Sequence, residues 1–112
     1  MWLSFGVMGG FMQPQGHLQV ASNMIDYEMD SQEALDAPRF KIEVEGNQDV
    51  LVEEDLSPDV IKDLEKRGHT IQVVSGYDRA GFGGGQVISR DAETGVLTAG
   101  SEPRKDGAAV GY

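Results

Sequence analysis

The first six residues, Met-Trp-Leu-Ser-Phe-Gly, are almost wholly apolar, with aromatic side chains at positions 2 and 5. That run predicts a buried strand over 1–6. Gly9 and Gly10 interrupt it. Beyond them Leu18, Ala21, Met24, Ile25 and Met29 recur at three- and four-residue intervals. The spacing predicts a helix over 14–28 with that row as its buried face. Pro14 suits its first turn, and Gln19, Asp26 and Glu28 fall on the other side. Asp30 with Glu33 three residues on forms a capping-box pattern, so a short second helix is expected, ended by Pro38. Residues 40–44 alternate apolar and charged, which predicts a half-buried strand with Lys41 and Glu43 on a solvated face. After a turn at 45–48, residues 50–52 return as its hairpin partner.

The second half is equally patterned. Ser57 and Pro58 stand as N-cap and first residue of a third helix. Its apolar stripe is Val60, Ile61 and Leu64, its last turn holds Lys66 and Arg67, and Gly68 sits where a helix terminates. Residues 70–74 read as a strand. Residues 75–85 are rich in glycine and read as a loop. A strand over 86–89, a turn over 91–95 and a returning strand over 96–99 follow. From 101 to 112 the pattern is polar and irregular, as in a frayed end.

Charge narrows the partners. Nine Lys+Arg against nineteen Asp+Glu give a net charge of −10 over 112 residues. No basic patch is available to neutralise phosphates, so nucleic acid and anionic membrane surfaces are disfavoured. The acidity reads as a solubilising or salt-adapted surface. The chain has no cysteine, which excludes disulfides and thiolate metal sites. No apolar run is long enough to span a bilayer. The N-terminal run is short and lacks a basic flank, so it does not read as a signal peptide. As written the chain carries no address other than the cytoplasm, and the compartment of a longer parent is open.

Candidate chemistry is sparse. His17 and His69 have no ligand partners at metal spacing, no GxSxG pattern is present, and both histidines read as structural or solvent-facing. Asp36 and Arg39 flank Pro38 and read as a local ion pair at a solvated helix end. The glycines at 81–85 lack the pattern and the following helix of a phosphate loop. The remaining feature is the passage from strand through Gly9 and Gly10 into helix. It gathers free backbone N–H groups at one point, as an anion or oxyanion site requires. Spacing alone is equally satisfied by an ordinary tight turn.

Several segments carry a resemblance to a known family. They are Gly6-Val7-Met8-Gly9-Gly10, Met12-Gln13-Pro14-Gln15-Gly16-His17, Ala34-Leu35-Asp36-Ala37-Pro38-Arg39-Phe40, Gly83-Gly84-Gly85-Gln86, and the closing Pro103-Arg104-Lys105-Asp106-Gly107-Ala108-Ala109-Val110-Gly111-Tyr112. In content and order they resemble the C-terminal part of the small subunit of a γ-glutamyltranspeptidase, an N-terminal-nucleophile hydrolase. The resemblance implies an α+β fold, the C-terminal portion of an αββα sandwich, with residues 1–112 as a single unit. It implies transfer or hydrolysis of γ-glutamyl amides such as glutathione, and no cofactor. It assigns Gly9 and Gly10 to the oxyanion hole, and implies an ordered chain end. It names as partners the remainder of the small subunit and the large subunit.

The departures from that family are specific. No threonine stands in the nucleophile setting, and the serine pair, acidic residue and arginine that grip the substrate have no counterpart. Met8 replaces a frequent proline and Glu102 a usual aspartate. The chain alone is therefore expected to be inactive. The alternative is a non-catalytic protein that keeps the scaffold and acts through a partner chain or as a homo-oligomer.

Overall fold

The computed structural model describes residues 2–111. Strand β1 (Trp2–Met8) is followed by helix α1 (Met12–Ile25) and the short helix α2 (Glu33–Asp36). Strands β2 (Phe40–Ile42) and β3 (Val50–Glu53), helix α3 (Pro58–Lys66) and strand β4 (Ile71–Val74) come next. A 3-10 segment (Gly76–Phe82) leads into the hairpin of β5 (Gly84–Arg90) and β6 (Leu97–Ser101), and a 3-10 turn (Pro103–Lys105) follows. The strands form two three-stranded sheets, in the orders β1-β5-β6 and β2-β3-β4. Every neighbouring pair is antiparallel except β3 and β4, which run parallel with α3 as their crossover. The α+β reading holds, and among the described residues no helix is long and apolar enough to cross a membrane.

Of the predicted strand over 1–6, residue 1 lies outside the described residues, and the rest is a strand but is not buried. Strand β1 is an edge strand that alternates in exposure, with Val7 in the core and Trp2 57% exposed. Its inner face meets α1, and here the expected helix face is corrected. The buried row is Met12, Gly16, Val20 and Met24, at strict four-residue spacing, whereas Leu18 and Ile25 are exposed. Gly16 decides the rotation. A Cβ there would lie 2.7 Å from Val7 Cγ1, so the glycine is where helix and strand approach most closely. Val7, Val20, Met24, Ala34, Leu35 and Val87 make one core cluster beneath this contact.

The turns follow the sequence closely. The Asp30 carboxylate accepts from the N–H groups of Gln32 and Glu33, both at 2.8 Å, and Glu33 accepts from Asp30 N–H at 2.9 Å. This is the reciprocal capping box expected at 30–33. Helix α3 ends as predicted: Gly68 takes φ +95, and the N–H groups of Gly68 and His69 bond to the carbonyls of Glu65 and Leu64. Ser57 precedes Pro58 as expected, but its hydroxyl makes no capping bond. Asp91 organises the 91–95 turn by accepting from the N–H groups of Glu93 and Thr94.

Three further expectations change. The glycine loop stops at Gly83, because Gly84 and Gly85 already pair with Met8 and Val7. The alternation over 40–44 is inverted: Phe40, Ile42 and Val44 are exposed while Lys41 and Glu43 are half-buried. Third, the irregular chain end is anchored, since Ser101 and Glu102 are buried.

Replacing Gly16 by alanine forces Val7 and the helix apart and is expected to cost about 1–3 kcal/mol of stability. Urea denaturation followed by circular dichroism measures the loss.

Candidate functional site

Two neighbouring arrangements define the site, and only the first was visible in the sequence. At the end of β1 the chain turns through Gly9 (φ +143) and Gly10 (φ +58). Both conformations are strained for residues with a Cβ. The carbonyls of Gly9 and Gly10 accept the N–H groups of Met12 and Gln13 at 3.0 Å each, which opens α1. Their own N–H groups find no acceptor among the described residues. Gly9 is pressed against Gly83, whose Cα would lie 3.1 Å from an added Cβ. The turn opens onto a cleft of ≈ 270 Å³ lined by Gly9, Phe11 and Met12 on one side and residues 41–45 on the other. An ion pair between Lys41 and Glu43, 2.7 Å long, lies along the far wall.

His17 stands behind the turn rather than in it. Its Nδ1 lies 2.5 Å from Gln13 O, and Val7 N–H reaches its Nε2 at 3.3 Å. A neutral ring protonated on Nδ1 satisfies both contacts. The Phe5 ring packs on it at 5.6 Å. His17 is thus a structural link between α1 and β1. His69 is exposed beyond α3, and among the described residues no group of acidic or histidine side chains could hold a metal ion.

The second arrangement is a buried ion network. Arg39, predicted to pair with Asp36 on a solvated helix end, is instead 1% exposed and pairs with Glu102 at 2.8 Å. Asp36 takes a hydrogen bond from Gln32. Glu102 also accepts from Gly85 N–H and from Arg104, both at 2.7 Å. Arg104 continues to Glu53 through two nitrogens, and to the carbonyls of Leu35 (2.7 Å) and Ala37 (3.0 Å). Glu53 accepts in addition from Arg39 N–H at 2.7 Å and Arg79 Nε at 3.0 Å. Burial alone would push the Glu53 carboxyl up. The hydrogen bonds from Arg104, the Arg39 N–H and Arg79 outweigh it and hold Glu53 below its ordinary value. Burial likewise opposes the Arg104 charge, but Glu53 and Glu102 raise its pKa above the usual arginine value. For Arg39, burial and then the Arg104 charge win, and its pKa is lowered.

These five charged residues come from four separate points in the chain, so no local spacing announces them. One signal was available: Glu53 continues the buried apolar run Val50-Leu51-Val52, where an unpaired carboxylate would be costly. Glu102, which stands where the resembled family usually has aspartate, joins Arg39, Arg104 and β5 through its carboxylate.

The fold is that of the N-terminal-nucleophile hydrolases, as its likeness to two solved structures shows. The cephalosporin acylase of Bacillus halodurans, 52% identical, superposes with a TM-score of 0.80 over 89% of this chain and 18% of that one. A crystal structure of acivicin-inhibited γ-glutamyltranspeptidase, 30% identical, superposes with a TM-score of 0.78 over 94% of this chain and 54% of that one. Within this class the chain belongs to the γ-glutamyltranspeptidase family, whose model matches residues 1–112. The glutathione hydrolase-like YwrD proenzyme of Bacillus subtilis is 36% identical over 110 residues, which is 96% of this chain. The chain spans about a fifth of that relative's length, 21%.

Replacing Glu53 by glutamine takes a buried carboxylate from Arg104 and Arg79, which keep Glu102 and the exposed Glu54 and Asp55, and is expected to cost on the order of 3–5 kcal/mol. In the native protein Glu53 titrates below its unfolded value. Its contribution is therefore full above the ordinary carboxylate value of 4.5 and is lost as pH falls through the depressed folded value. Acid titration followed by circular dichroism is expected to show this transition in the wild type, and a shallower acid dependence in E53Q.

Proposed function

We propose that the chain, as a single unit over 1–112, is the C-terminal part of a γ-glutamyltranspeptidase-like enzyme and supplies its oxyanion hole through Gly9 and Gly10. The observation that carries this reading is a pair of N–H groups with no acceptor among the described residues, on a glycine turn whose Gly9 lines the cleft. In the reaction a threonine from the remainder of the enzyme attacks the carbonyl carbon of a γ-glutamyl amide. The carbonyl oxygen gains negative charge, and the Gly9 and Gly10 N–H groups donate to it. The C–N bond then breaks, the leaving amine takes a proton, and the acyl-enzyme passes to water or to an acceptor amine. Donors fixed in place before the charge develops stabilise that state without reorganisation.

The chain's own threonines do not fit the nucleophile's part. Thr70 precedes β4, Thr94 sits in the 91–95 turn, and Thr98 is exposed on β6. The outer face of the β1-β5-β6 sheet bears Trp2, Met8, Ile88 and Leu97, all 44% exposed or more. A sheet face of this kind needs a cover, and the remainder of the enzyme is the cover we propose. The same face supports the second reading, a scaffold that self-associates without catalysis. Similarity to a cephalosporin acylase adds a second acyl-donor class to test.

The purified 112-residue chain is expected to release no p-nitroaniline from γ-glutamyl-p-nitroanilide and to keep its mass. Joined to the preceding segment of its parent enzyme, it is expected to release it, with a cephalosporin as competing donor. In that assembled enzyme Gly9→Ala, which collides with Gly83, is expected to lower kcat on the order of 10²–10³-fold. Gly10→Ala meets no atom within 4 Å and is expected to lower it less. Turnover by the isolated chain, or wild-type rates in Gly9→Ala, would contradict the reading.

A further inference from the structure

Helix α1 lays two glutamines, one turn apart, along the free edge of β2. The carbonyl of Arg39 and the N–H of Glu43 bond to Glu53 and Asp49, so these positions face β3. Phe40 and Ile42 therefore turn their N–H and C=O groups to the outer side. There each meets a side-chain amide on both groups. Gln15 Oε1 accepts from Ile42 N–H at 2.7 Å, and its Nε2 donates to Ile42 O at 3.1 Å. Gln19 Oε1 accepts from Phe40 N–H at 2.9 Å, and its Nε2 donates to Phe40 O at 2.9 Å.

A primary amide offers a donor and an acceptor side by side, as an edge strand requires. The spacing also fits. Four residues of helix advance about 6 Å, and two residues of strand about 6.6–6.8 Å. The next position in the helix row is Phe11, and the next outward residue of the strand is Val44. Phe11 has no amide to offer, and Val44 N–H and C=O find no partner among the described residues. Phe11 and Val44 line the cleft instead, together with Gly9. The cleft begins where the row of amides ends.

We propose that Gln15 and Gln19 stand in for a missing β-strand, and that Gln15, by fixing Ile42, is a positioning residue that sets the distance between residues 41–45 and the Gly9/Gly10 turn. Its catalytic consequence rests on the function proposed above: the acyl group would lie between these two walls, so their separation governs donor binding more than the chemical step.

The test compares Gln15→Met, Gln19→Met and, as control, Gln13→Met, whose side chain is exposed and makes no hydrogen bond among the described residues. Methionine keeps the length and helix preference of glutamine, so α1 is retained. The chain has no cysteine, so spin labels at Leu18→Cys and Glu45→Cys are unique and report the wall's position without catalysis. A narrow distance distribution is expected in the otherwise unaltered chain and in Gln13→Met, and a broadened one in Gln15→Met.

In the assembled enzyme Gln15→Met is expected to raise KM for γ-glutamyl-p-nitroanilide about 3- to 10-fold with kcat within about two-fold, and Gln19→Met to raise it less. An unchanged distribution in Gln15→Met overturns the proposal, as does an unchanged KM beside a broadened distribution. If the unaltered assembly does not turn over γ-glutamyl donors, the proposed function fails, and the label distances alone then uphold or overturn the positioning.

Discussion

The structure depends on neutralising the charge that it buries. Glu53 and Glu102 are fully buried, and each is held by arginines that are themselves almost wholly withdrawn from water. Charges in such surroundings are tolerated only when every partner is present. Arg39 comes from just before β2, Glu53 from β3, and Glu102 and Arg104 from beyond β6. The network therefore ties the two sheets to each other and to the end of the chain. Glu102 also holds the N–H of Gly85, the strand residue paired with Val7. The glycine turn thus rests on a strand whose partner is pinned by the network.

The sequence made the turns legible and left the long-range order hidden. The capping box at Asp30 and Glu33, and the α3 terminus at Gly68, obey rules that operate within a few residues. Both appear as expected. The buried face of α1 was misjudged because periodicity favoured large side chains such as Leu18 and Ile25. Packing instead selected the row containing Gly16, where the smallest residue lets Val7 approach. The strand at 40–44 departs from expectation because alternation tells two faces apart without telling which one is covered: Phe40, Ile42 and Val44 are the exposed set. Arg39 looked like part of a solvated helix end, and only its partner sixty-odd positions away reveals it as core.

The candidate site was legible in part. Gly9 and Gly10 are informative because both take positive φ between strand and helix, and a Gly-Gly pair at such a place is recognisable as letters. The opposing wall could not be read, since it depends on how β2 is hung beside α1. The exposed sheet face and the small share of its relative's length that the chain covers, 21%, both agree with a part of a larger enzyme, and the family match over 1–112 places it among the γ-glutamyltranspeptidases.

The pairing of β1 with β5 has a consequence for synthesis. Trp2 lies opposite Arg90, and Met8 opposite Gly84, so β1 must wait for a partner strand made much later. While the ribosome adds the intervening residues, β3, α3 and β4 can close locally as a parallel unit, but β1 has no partner. Contacts of such large sequence separation form slowly and leave strand edges open in the meantime. The Gly9/Gly10 turn can therefore reach its final shape only after the whole β5 hairpin has emerged, and its support is locked only when Arg104 arrives. The glycine turn is translated well before the residues on which its support depends.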